Sequence, residues 1–87
     1  MTTLHFYTRR GCHLCEVMLE ELLPMIAGRT SLEIRDIDTD ENWRREFDVR
    51  VPVLACDDRV VSEYPLDQSA VLDLLAALPA IPDIARN

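Results

Sequence analysis

The feature that most constrains this chain is a change of period in its first third. Thr3 to Tyr7 carries β-branched and aromatic residues and runs into Thr8-Arg9-Arg10-Gly11, the pattern of a short strand followed by a loop. From His13 onward the apolar residues fall at Cys15, Met18, Leu19, Leu22, Leu23 and Ile26, one face of an amphipathic helix. A strand that hands over directly to a helix needs a sheet for that helix to cover, which is the beginning of a layered α/β fold. Gly28 suits the helix C-terminus. Pro24 is discordant, because an interior proline removes a hydrogen bond and crowds the preceding turn. The apolar face continues to Ile26, so a kink near Glu20–Pro24 is expected and not a stop.

Ser31 to Ile37 alternates, with Leu32, Ile34 and Ile37 apolar, and reads as a second strand whose alternation breaks near Asp36. Asp38-Thr39-Asp40 supplies the N-cap of a short second helix, about Glu41 to Phe47, with Trp43 and Phe47 one turn apart. Val51 to Cys56 reads as a third strand that opens with Pro52, where a missing donor is tolerated. Asp57-Asp58 turns the chain into a fourth strand, Arg59 to Ser62. Asp67 caps a last helix with the stripe Val71, Leu74, Leu75 and Leu78, ended by Pro79. The order is βαβαββα. Its opening implies parallel strands with a right-handed crossover, and the hairpin adds an antiparallel edge. The expected fold is α/β, a four-stranded mixed sheet with helices on both faces. One domain, residues 1–87, is expected, with its core at about 3–78 and a weakly ordered tail at 80–87.

An apolar fraction of 48% beside 29% charged residues suits a folded core and argues against disorder. The net charge of −7 makes nucleic acid and an anionic membrane surface poor partners. All nine basic residues are arginine, which excludes Schiff-base chemistry and a phosphate-binding P-loop lysine. No apolar run approaches the roughly 18–20 residues of a membrane span. No basic segment followed by a long apolar stretch opens the chain, so the cytoplasm is the expected location and a monomer the expected state. The acidic stretch Asp36 to Glu41 lacks the glycine and closing glutamate of a calcium loop.

Cys12-His13-Leu14-Cys15 stands where the first strand passes into the first helix. A cysteine at a helix N-terminus faces unpaired N–H groups and the positive end of the dipole, and both favour thiolate. Cys12 is at that end, and Arg9, Arg10 and a protonated His13 would add positive charge. Cys15 lies about one turn inside, close enough for a disulfide. Cys12 is then the attacking thiolate and Cys15 the resolving thiol. Glu16 would either disfavour a second thiolate or carry the Cys15 proton. Two other readings stay open. The pair can be half of a metal or iron–sulfur site with Cys56, although the remaining soft donors, His5 and His13, are scattered. It can also be inert, on a domain that serves as an interaction module.

These residues resemble the glutaredoxin-like branch of the thioredoxin superfamily, over about Thr3 to Leu78. The resemblance rests on Phe6-Tyr7-Thr8-Arg9-Arg10-Gly11-Cys12-His13-Leu14-Cys15, on Val51-Pro52 and on the βαβαββα order. It implies a thioredoxin fold, a cis peptide before Pro52, and thiol–disulfide exchange on protein or small-molecule disulfides with a thiol reductant as electron donor. It further implies that Arg9 contacts a glutathione carboxylate and that the Val51 backbone pairs with the cysteinyl group. With Tyr7 and His13 beside the cysteines, the candidate substrate-binding set is Tyr7, Arg9, His13, Val51 and Pro52; no metal ligand is assigned. The chain departs from the pattern at three places. Arg50 stands where the family has threonine, His13-Leu14 where it has Pro-Tyr, and Ser62-Glu63 where a glycine pair receives the γ-glutamyl end. Glu63 would repel that end, which counts against glutathione as co-substrate; no tightly bound cofactor is expected.

Elsewhere, Arg44, Arg45 and Arg50 read as a solvated face with Asp40, Glu41 and Asp48, or as a patch for an acidic partner. Cys56 reads as a small buried hydrophobe, or as a modifiable third thiol. His5 reads as a satisfied strand histidine and not as a ligand.

Overall fold

The computed structural model describes residues 3–78. The expected tail at 80–87 and the stop at Pro79 lie outside them. Strand β1 spans Thr3–Thr8 and helix α1 His13–Ile26. Strand β2 spans Ser31–Asp36, helix α2 Glu41–Phe47, strand β3 Val53–Cys56, strand β4 Arg59–Glu63 and helix α3 Gln68–Ala77. The sheet order is β2-β1-β3-β4. β1 and β2 are parallel, whereas β3 runs antiparallel to both β1 and β4. The expected mixed sheet is therefore present, with β1 and β3 at its centre.

Alternation along the central strands assigns each face its helices, because successive side chains in a strand point to opposite sides. Leu4 and Phe6 of β1 join Leu54 and Cys56 of β3 on one face. They pack there with Cys15, Met18, Leu22 and Ile26 of α1 and with Val71 and Leu75 of α3. Tyr7, Val53 and Ala55 point to the other face, where Ile37 and Phe47 cover them. Truncating a fully buried Leu22 or Met18 to alanine would cost about 2–5 kcal/mol.

Helix α1 runs unbroken through Pro24. Glu20 and Pro24 are both exposed, so the carbonyl that loses its donor faces water. Gly28, at φ 75°, closes the helix as its C-terminal glycine. One element was not anticipated. The second strand stops at Asp36, and Ile37–Thr39 forms a 3₁₀ turn that the Asp36 carboxylate caps by accepting the Asp38 N–H at 2.9 Å. Ile37 therefore covers the sheet from a turn, fully buried, and not from the strand. Asp40 then caps α2 as expected, accepting from the N–H groups of Asn42 and Trp43. The third strand begins two residues later than the alternation suggested, at Val53, and the fourth extends to Glu63. Asp57 makes the hairpin turn at φ 55°, a left-handed conformation that aspartate tolerates.

Candidate active site

The C-terminal end of β1 delivers the cysteine pair. Arg9 to Cys12 forms a turn in which the Cys12 N–H donates to the Arg9 carbonyl at 3.3 Å. Gly11 sits in it at φ 75°, a conformation that a side chain would strain. Cys12 is the N-cap of α1, and its Sγ accepts the Cys15 N–H at 3.1 Å. The two sulfurs are joined as a disulfide across a Cα–Cα separation of 5.2 Å. The pair is asymmetric in exposure: Cys12 is half-buried, while Cys15 is 3% exposed in the core under α1. Solvent reaches the first residue and hardly touches the second.

The loop from α2 to β3 leads into Val53, which pairs with Tyr7 at the end of β1 that precedes the cysteines. Its Val51–Pro52 peptide is cis, as is Tyr64–Pro65 after β4, which no sequence pattern pointed to. The Val51 N–H donates to the Phe47 carbonyl at 3.2 Å, and Pro52 is buried. His13 is exposed, with Nδ1 3.8 Å from Glu16. Leu14 is also exposed.

Arg9 is tied inward. Its Nε and Nη2 donate to Asp38 at 3.2 and 3.1 Å, Nη2 also to the Asp48 carboxylate at 2.8 Å, and Nη1 to the Asp48 carbonyl at 3.2 Å. These bonds to Asp38 and Asp48 drive the guanidinium pKa further up, and Arg9 in return holds the Asp38 carboxyl below the usual carboxylate range. Tyr7 is buried on the α2 face, stacked on Phe47 at 4.2 Å and edge-on to Trp43 at 5.8 Å. Its hydroxyl accepts from Arg35 at 2.8 Å, and the same guanidinium lies over the Trp43 ring at 4.9 Å. The candidate residues thus divide. Cys12, Cys15 and His13 lie at the start of α1, Val51 and Pro52 in the loop before β3, Arg9 is locked between two carboxylates, and Tyr7 is in the core.

Two arginines of the basic cluster, Arg45 and Arg50, are paired. Arg45 meets Glu41 at 3.5 Å, and Arg50 meets Glu63 at 3.1 Å. An open surface crevice of about 300 Å³, lined by Glu41, Arg44, Arg45 and Asp48, mixes both signs. Cys56 lies beside Leu4, at the opposite end of β1 from Cys12. The three cysteines therefore do not converge, and among the described residues no group of three or more His, Cys, Asp or Glu side chains could hold a metal ion. His5 has Nε2 3.6 Å from Glu33, while its buried Nδ1 has no hydrogen-bond partner among the described residues, so it is less satisfied than expected. No helix among the described residues is long and apolar enough to cross a membrane.

With this geometry in view, the family is decided by a match of residues 3–76 to the model of a glutaredoxin-like domain (DUF836). The chain belongs to that family. Its fold is also that of solved structures. A structural-genomics target protein from X. campestris, XcR50, is 32% identical at a TM-score of 0.64, covering 87% of this chain and 99% of that one. A single-site mutant of a thioredoxin from Halobacterium salinarum is 27% identical at a TM-score of 0.57, covering 93% and 78%. Oxidized mitochondrial thioredoxin 3 from Saccharomyces cerevisiae, 18% identical at a TM-score of 0.58 over 88% and 78%, shares the fold. No curated protein matches the sequence. Within this glutaredoxin-like domain two of the departures from the family pattern are partners of each other. Arg50 bonds both carboxylate oxygens of Glu63, at 3.4 and 3.1 Å. Ser62 is buried, its hydroxyl donating to the Glu63 carbonyl at 2.8 Å and accepting the Asp67 N–H at 2.9 Å.

Asp38 and Asp48 had no motif to announce them as partners of Arg9. Arg9 meets them at separations of 29 and 39 residues, so no local spacing signalled the contact.

Proposed function

We propose that this domain is a dithiol–disulfide oxidoreductase in which Cys12 attacks and Cys15 resolves. One observation carries the reading: a half-buried Cys12 sulfur caps α1, accepts the Cys15 N–H and lies within bonding distance of a buried Cys15 sulfur. In the reduced protein that N–H and the positive end of the helix face Cys12 and favour its thiolate.

The Cys12 thiolate attacks one sulfur of a substrate disulfide, forming a mixed disulfide as the other substrate sulfur leaves as thiolate. The Cys15 thiol then loses its proton and attacks the Cys12 sulfur, expelling the second substrate thiolate. Two electrons pass to the substrate, and the protein is left as the Cys12–Cys15 disulfide. An external thiol reductant returns it to the dithiol. The substrates are protein or small-molecule disulfides, the setting is a reducing cytoplasm, and the working unit is a monomer. His13 and the Val51–Pro52 loop, beside the cysteines, are the substrate-contact residues of this reading; no tightly bound cofactor takes part.

The test is alkylation of the reduced protein across pH, with intact-mass readout. Cys12 is expected to react with a midpoint below the free thiol value of about 8.5. Cys15→Ser is expected to retain a mixed disulfide on Cys12. A midpoint at or above the free value, together with no reversible Cys12–Cys15 bond in a redox series, overturns the proposal.

A further inference from the structure

The Arg9 cluster does more than join three segments. Arg9 belongs to the turn that ends at Cys12, Asp38 to the 3₁₀ turn after β2, and Asp48 to the end of α2. A guanidinium has five N–H donors in a fixed fork, and four hydrogen bonds to two aspartates occupy most of them. Arg9, three residues before Cys12, is therefore outnumbered by its own carboxylates. The next cation toward the cis-proline loop, Arg50, is held by Glu63. On the helix side Glu16 accompanies His13, and Arg10 is exposed. On the segments that frame the cysteine pair Asp38, Asp48, Glu16 and Glu63 thus offset the guanidiniums of Arg9, Arg10, Arg50 and Arg44, the last acting on Asp38.

We infer that Asp38 and Asp48 set the charge selectivity of Cys12: by engaging Arg9 they make the site favour neutral and cationic disulfides over anionic ones. The inference rests on the oxidoreductase reading above. A thiolate that attacks an anionic disulfide brings like charges together, and a free guanidinium nearby would offset that repulsion. A guanidinium already bonded to two carboxylates offers no such offset. Neutral disulfides need no offset, and cationic ones are drawn by the thiolate itself.

Exposed ion pairs are often simple struts of small energetic effect. A strut predicts changes in stability only, so the deciding readout is a ratio of rates. Prereduced protein is mixed in single turnover with glutathione disulfide (anionic), 2-hydroxyethyl disulfide (neutral) and cystamine (cationic), and quenched samples are read by intact mass. Asp38→Asn and Asp48→Asn are compared with the wild type singly and together. Asp58→Asn, in the hairpin turn at the end of β3 remote from Pro52, removes the same charge elsewhere. The double variant is expected to raise the anionic-to-cationic rate ratio roughly tenfold, and each single variant roughly threefold, the scale of one nearby unit charge per step. Asp58→Asn is expected to leave the ratio unchanged, and 1 M salt to compress the differences, since screening then acts within about 3 Å.

A ratio in the double variant within about twofold of the wild type, or an equal shift in Asp58→Asn, overturns the inference. If the double variant does not fold, the single variants decide, because each leaves Arg9 one carboxylate. Failure of the wild type to react with the neutral disulfide is a different result: it removes the oxidoreductase reading itself.

Discussion

Cys12 and Cys56 occupy opposite ends of the same sheet. Cys12 follows β1 at the N-terminus of a helix, half-buried, with a backbone N–H aimed at its sulfur. Cys56 ends β3 beside Leu4, buried at 6% exposure, on a central strand that pairs with β1 on one side and β4 on the other. Burial pushes its thiol pKa up, and the neighbouring Asp57 adds to that. On the proposed reading the same side chain is offered as an anion in one place and kept as a neutral packing group in the other. The difference lies in the backbone: a helix start exposes donors without partners, and a central strand has none to spare.

The sharpest way to break this comparison is to remove the active sulfur. Cys12→Ser is expected to bring single-turnover reduction of 2-hydroxyethyl disulfide down to the uncatalysed rate, with Cys56 unable to substitute. Residual turnover that needs Cys56 would dissolve the distinction.

Native-state labelling sharpens it. At pH 7 iodoacetamide is expected to modify Cys12 of the reduced protein on the order of 100-fold faster than Cys56, whose reaction must wait for local opening. Peptide mapping over a time course gives both rates. Comparable rates would show that the buried end of β3 opens readily.

Cys56→Ala tests the packing side. It is expected to lower the unfolding free energy by about 1 kcal/mol in urea titrations, as small core truncations do, without changing the Cys12 reaction rate. A change in that rate would couple the two ends of the sheet.

The smallest effect is expected from acid. Arg9 holds the Asp38 carboxyl below its ordinary value. A depressed folded pKa means that the contribution is present above the unfolded value, about 3.9, and is lost as pH falls through the lower folded one. Urea midpoints should therefore fall more steeply below about pH 4 in the wild type than in Asp38→Asn. Parallel curves would show that the cluster beside Cys12 adds nothing to stability.

Much of the fold was legible in the chain because its signals are local. The strand-to-helix change at Thr8–His13, the N-caps Asp40 and Asp67 and the turn at Asp57-Asp58 each act within a few residues. The 3₁₀ turn at Ile37–Thr39 showed in the chain only as a break in the alternation near Asp36, because the capping bond from the Asp38 N–H to the Asp36 carboxylate has no periodic signature. At the site the pattern of the cysteines was legible for the same local reason, since a helix start and a spacing of three residues lie in one short segment. The company those cysteines keep was not. Which carboxylates hold Arg9, which departure from the family pattern pairs with which, and which face of the sheet takes Tyr7 depend on residues far apart in the chain.

By itself, then, the sequence determined the order of elements, the apolar faces and the position of Cys12 at a helix N-terminus, because periodicity and capping are written in neighbouring residues. Only the tertiary structure decided that β3 lies antiparallel beside β1, that Arg9 is spent on Asp38 and Asp48, and that Cys56 is sealed away from Cys12. Ion pairs and strand neighbours are chosen by distance in space, and separations of tens of residues leave no periodic trace in the chain.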